Sequence, residues 1–127
     1  MNSISFRAIR ARSMAHLLFA AAFALTVPIG FAHTELVSAT PAANSTVSAP
    51  KEVSIKFSGA LEAKFSKITV TDESGKTVNT AASAVGADTK VMTVALPALT
   101  PGVYTVHWVA VSTDSHRSQG DYKFTVK

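Results

Sequence analysis

The chain has 127 residues, a formal net charge of +4 and no cysteine, and 47% of its residues are hydrophobic. That length suits one domain with one modest core. Without cysteine there is neither a disulfide framework nor a thiolate metal ligand, so burial of apolar side chains must carry the stability unaided.

The first stretch reads as an export address. Arg7, Arg10 and Arg12 form a positive segment, and no acidic residue precedes Glu35. An apolar run over residues 17–25 continues to Val27 and is broken by Pro28 and Gly30. Gly30-Phe31-Ala32 then places small residues at −3 and −1 of a cleavage point after Ala32. This is the pattern of a Sec-type secretory signal peptide over residues 1–32, which implies a periplasmic protein. A spanning helix would need about 20 apolar residues, and Pro28 interrupts the run first. Lipid attachment at a mature N-terminal cysteine is excluded, and Ala11 between Arg10 and Arg12 argues against a twin-arginine signal.

Removal of that segment changes the charge. Three of the twelve Lys and Arg precede residue 33, which leaves nine against eight Asp and Glu, a net charge of +1. Nothing in residues 33–127 then points to nucleic acid or an acidic membrane surface.

The remainder reads as short strands between turns. Residues 34–39 form a first extended piece, ended by Thr40-Pro41 and a polar turn at Asn44-Ser45-Thr46. Val53, Ile55 and Phe57 alternate inward with Ser54 and Lys56 outward. Residues 58–65 read as an irregular connection. Residues 67–71 lead into the turn signal Asp72-Glu73-Ser74-Gly75, with residues 76–81 as a return strand. Residues 82–88 form a loop and residues 90–96 alternate again. Pro101-Gly102 turns the chain into its most apolar strand, residues 103–111, and Tyr122, Phe124 and Val126 alternate to the end.

About seven strands, no amphipathic helix and turns at short intervals imply an all-β Greek-key sandwich of immunoglobulin-like or cupredoxin-like type, without the disulfide. The strand at 103–111 is apolar on both faces and is therefore expected at the centre. Tyr104, Val106 and Trp108 should face Val53, Ile55, Phe57 and Phe124. Residues 90–96 and 120–127 are its expected hairpin neighbours.

Chemistry concentrates at Thr113-Asp114-Ser115-His116-Arg117, just past that strand. In an extended segment Asp114 and His116 would point to the same side and present a carboxylate and an imidazole together. That is half of a metal site, though turn chemistry and a solvated histidine give the same pattern. Cleavage after Ala32 adds a second feature, because His33 becomes the first residue. Its freed α-amine and its ring can close a chelate on one metal, whereas the alternative is a frayed terminus. His107 falls on the opposite strand face from Trp108 and Asp114 and reads as a surface histidine. Ser112, Thr113 and Ser115 read as turn or supporting hydroxyls. An Asp two residues from a His is poor geometry for Ser-His-Asp catalysis.

Three segments together carry a family resemblance: His33-x-x-Leu36-Val37-x-x-x-Pro41-Ala42, Ile55-Lys56-Phe57-Ser58, and Pro101-Gly102-x-Tyr104-x-Val106-x-Trp108-x-Ala110-Val111-Ser112-x-Asp114-x-His116. Over these, residues 33–127 resemble the CopC-type periplasmic copper-resistance proteins. The resemblance implies a Cu(II) site made by His33, Asp114 and His116, and a monomeric copper carrier or sequestering protein serving an inner-membrane CopD-type transport protein. Some members also carry a methionine-rich Cu(I) loop. Here only Met92 follows residue 32, within a strand, so that second site is expected to be missing. Nitrogen and oxygen donors without a soft ligand suit tetragonal Cu(II). Two other readings stay open on the residues alone: a copper monooxygenase built on a terminal histidine brace, and a metal-free immunoglobulin-like interaction module.

Overall fold

Alternating side chains build every long strand of the computed structural model, which describes residues 33–127. The leader expected over residues 1–32 lies outside the described residues. The strands are β1 (Leu36–Thr40), β2 (Thr46–Val47), β3 (Glu52–Phe57), β4 (Lys67–Thr71), β5 (Ala84–Val85), β6 (Val91–Ala95), β7 (Gly102–Val111) and β8 (Arg117–Val126). No helix occurs among the described residues. The strands form two four-stranded sheets, ordered β1-β3-β6-β5 and β2-β8-β7-β4. The expected all-β sandwich is the observed fold, with two more two-residue strands and one longer strand fewer than the sequence suggested.

The core lies between the sheets and follows the alternation. Val53, Ile55 and Phe57 from β3 are fully buried, as are Ile68 and Val70 from β4 and Met92 from β6. Tyr104, Val106, Trp108 and Ala110 of β7 and Phe124 and Val126 of β8, which share a sheet with β4, also turn inward. Phe57 and Trp108 meet edge to face with ring centroids 5.2 Å apart, while Tyr104 and Phe124 stack at 5.7 Å. Such aromatic pairs add specific geometry to the area they bury. Gly120 of β8 lies directly over the indole, where a β-carbon would stand 2.6 Å from Trp108 Cζ2. Only glycine fits there, so the indole is seated against bare backbone.

Two expected pairings differ. The strand near residues 90–96 does not flank β7; β6 pairs antiparallel with β3 and β5 in the opposite sheet. The inner neighbours of β7 are β4 and β8. Alternation fixes which side chains point inward, but it is blind to which of two sheets a strand joins. The return strand expected over residues 76–81 is also absent; only the single bridge Thr71↔Thr77 forms. Side chains replace the missing ladder, since Asn79 Oδ1 and Ser83 Oγ accept from the Val70 and Ile68 amides at 2.7 and 2.8 Å.

Candidate metal centre

β7 ends at Val111 and β8 begins at Arg117, and these two residues pair directly, so residues 112–116 form a tight hairpin loop. The Ser112 amide donates to the His116 carbonyl at 2.9 Å, and the Ser115 amide to the Ser112 carbonyl at 2.8 Å. Ser115 takes a positive φ of 70°, a left-handed conformation uncommon for a residue with a β-carbon. Asp114 and His116 therefore meet through a turn and not through the alternation of an extended strand. The meeting is nonetheless close, with His116 Nδ1 3.0 Å from Asp114 Oδ2.

The carboxylate is bound from several sides. Ser112 Oγ donates to Asp114 Oδ1 in a short hydrogen bond, and the His116 amide donates to the same oxygen at 3.2 Å. Ser112 first, then the His116 ring and its backbone amide, hold the Asp114 carboxyl down at about 2. It is therefore ionised throughout the neutral range. A carboxylate at Nδ1 is also the arrangement by which a metal-ligating histidine is oriented through its other ring nitrogen. A carboxylate offers about four lone-pair positions. These contacts occupy three, which leaves one on Oδ2. Both side chains remain accessible, His116 at 40% and Asp114 at 61%.

His33 arrives from the far end of the described chain. Its ring stands edge-on to that of His116, centroids 6.4 Å apart at an interplanar angle of 85°. The neighbouring residue is anchored, because Thr34 is buried and its carbonyl accepts from Ser118 Oγ at 2.5 Å. Among the described residues no three His, Cys, Asp or Glu side chains form a ready-made metal cage. The His33 nitrogen is here a peptide nitrogen joined to Ala32, not a free amine. The side chains on their own make two imidazoles and a carboxylate at one end of the sandwich, and a chelating amine is the donor that processing would add.

The third described histidine stands elsewhere. His107 lies on the outer face of β7, and its Nδ1 is 2.7 Å from Asp121 Oδ1 on β8. Sequence reading had no signal for that partner, which follows only from the β7–β8 register. Met92 is fully buried in the core and offers no sulfur to solvent. Ser118, which anchors Thr34, and Ser58, whose Oγ accepts from the Glu35 amide at 2.9 Å, were also missed as anchors, since a serine carries no periodic signal.

Comparison with known proteins now fits this geometry. The chain is 43% identical over 107 residues to copper resistance protein C of Escherichia coli, spanning 76% of this chain and 82% of that protein. The crystal structure of CopC from Methylosinus trichosporium OB3b superposes with a TM-score of 0.70 at 37% identity, covering 75% of this chain and 94% of that one. The copper transport protein CutJ of Bacillus subtilis is 36% identical over 99 residues, which are 76% of this chain but only 18% of that protein. Fold and relatives together define a class, the small all-β copper-resistance proteins. A family model described as the CopC domain matches residues 36–127, and the chain belongs to the CopC family, which binds copper. The matched range contains Asp114 and His116 and begins three residues after His33.

Proposed function

We propose that this protein is a periplasmic Cu(II) carrier or sequestering protein, exported by the leader at residues 1–32 and cleaved after Ala32. In this reading His33 supplies its α-amine and ring, His116 supplies Nε2, and Asp114 supplies an oxygen and the negative charge. One observation carries it: the fold brings the His33 ring to 6.4 Å from that of His116, whose Nδ1 is already engaged by Asp114. Three nitrogens and one oxygen suit tetragonal Cu(II), which also tops the divalent affinity order. The buried Met92 argues against a Cu(I) site of thioether type.

Delivery to an inner-membrane transport protein of the CopD type is supported by CutJ, a copper transport protein that contains a segment like this chain within a much longer polypeptide. The protein acts as a carrier and not as an enzyme. An acidic oxygen donor beside the metal takes a position that oxygen activation needs open. Electron paramagnetic resonance of the exported protein with one equivalent of Cu(II) tests the site. Hyperfine structure from three nitrogens supports it, and a spectrum of carboxylate-only or aqueous copper refutes it.

A further inference from the structure

The two halves of the candidate centre come from opposite ends of the described chain, yet a single short loop after β3 touches both. On one side, Ser58 Oγ accepts from the Glu35 amide at 2.9 Å, and the Ser58 amide donates back to the Glu35 carbonyl at 2.9 Å. Gly59 lies against Thr34, and a β-carbon there would stand 2.9 Å from Thr34 Oγ1. On the other side, the Ala60 carbonyl accepts from the Thr113 amide at 3.2 Å, and Leu61 forms a bridge with Ser112. The Glu62 amide then donates to the Val111 carbonyl at 2.8 Å. Five consecutive residues thus grip the segment that carries His33 and the loop that carries Asp114 and His116.

We infer that residues 58–62 are a positioning bracket, which sets the distance between the terminal histidine and the His116 loop before copper arrives. The inference rests on the copper reading above. A chain terminus is ordinarily frayed, and ordering it at the moment of binding costs affinity. Here Thr34 is only 3% exposed, held beneath Gly59 and fixed through its carbonyl by Ser118, so the chain is anchored up to the residue next to His33. Leu61 is itself buried, which ties the bracket to the core between the sheets. Gly59 is the specificity point of the device. Its lack of a side chain makes the seat for Thr34, and no metal donor belongs to it.

The test uses Gly59→Ala in the exported protein, with Cu(II) alone as the probe. The new methyl group would stand 2.9 Å from Thr34 Oγ1, so this buried side chain must shift and the seat of the terminus is disturbed. Cu(II) affinity is expected to fall roughly 10–100-fold, the usual effect of disturbing groups that orient a ligand. Copper release to a competing chelator should speed up in proportion, and the resonance spectrum should lose the nitrogens of His33 while keeping that of His116. The metal-free melting temperature serves as the control for folding. Adding Thr34→Ala to Gly59→Ala removes Oγ1, makes room for the methyl group, and keeps the carbonyl that Ser118 holds, so most of the affinity should return. Unchanged affinity and release in folded Gly59→Ala would overturn the bracket, as would affinity loss that the second substitution does not restore. Failure of the copper reading looks different: the unsubstituted protein itself would show no nitrogen from His33.

Discussion

His107 and His116 are nine residues apart, and each stands beside an aspartate, at 2.7 Å and 3.0 Å respectively. By pair geometry alone the His107–Asp121 pair is the better one. It nevertheless sits on a strand face, where Thr69 is the register partner of His107 on the other side. The His116–Asp114 pair sits in a loop whose Ser112 hydroxyl and backbone amide pin the carboxylate, with a second imidazole nearby. A histidine with an oriented ring is thus not yet a ligand. What separates the two is convergence: only one pair has a partner donor delivered by another part of the chain.

Substitution of each histidine in turn separates the two pairs. His116→Ala should reduce Cu(II) affinity by more than the roughly 10–100-fold that loss of an outer partner costs. Its fold should stay intact, because the ring is 40% exposed at a loop. Competition with a calibrated chelator reads the affinity and circular dichroism reads the fold. An unfolded domain with unchanged affinity per folded molecule would reverse the assignment.

The inward neighbour of His107 gives the opposite result. Trp108→Ala removes a buried ring that packs on Phe57 and Gly120. It should cost about 3–5 kcal/mol by denaturant titration, the range for large-to-small core substitutions. Copper affinity of the molecules that remain folded should change little.

Ser112→Ala probes the feature that only the second pair has. Without the hydroxyl, the Asp114 carboxyl should rise from about 2 towards its ordinary value of 3.8, followed by its carboxyl chemical shift in an acid titration. The sign follows from the depressed folded value. The interactions of Asp114 stabilise the fold above the ordinary carboxylate range and are lost as pH falls through about 2. In the variant that loss should be smaller and complete at a higher pH. A carboxyl still titrating near 2 would show that Ser112 is not its main support.

The smallest effect belongs to the first pair. His107→Ala should leave copper affinity unchanged and alter stability by no more than about 1 kcal/mol, as expected for an exposed ion pair. A large loss of copper there would place a donor on the outer sheet face and contradict the account.

These two regions also show how much the sequence made legible. The parity that puts His107 outward and Trp108 inward was readable, because β7 is long and regular and its alternation is unbroken from Val103 to Val111. The core of β3 was readable for the same reason. The sheet joined by β6 was not, since pairing is a long-range choice that local alternation does not encode. Strands as short as Thr46–Val47 and Ala84–Val85 have no period to detect. In the candidate centre the residues could be named from motif and resemblance, whereas the bracket at residues 58–62 could not. Its grip runs largely through backbone amides and carbonyls, which every residue possesses.

The proposed donor set requires the amine of His33 to be freed by cleavage before it can bind copper. The most direct measurement compares Cu(II) affinity of the exported protein with that of a form carrying one extra residue before His33. The extra residue ties the nitrogen into a peptide bond and leaves the His33 ring, Asp114 and His116 in place. An amide nitrogen must be deprotonated before it binds metal, so the extended form should bind more weakly by orders of magnitude. Equal affinity for the two would contradict the claim.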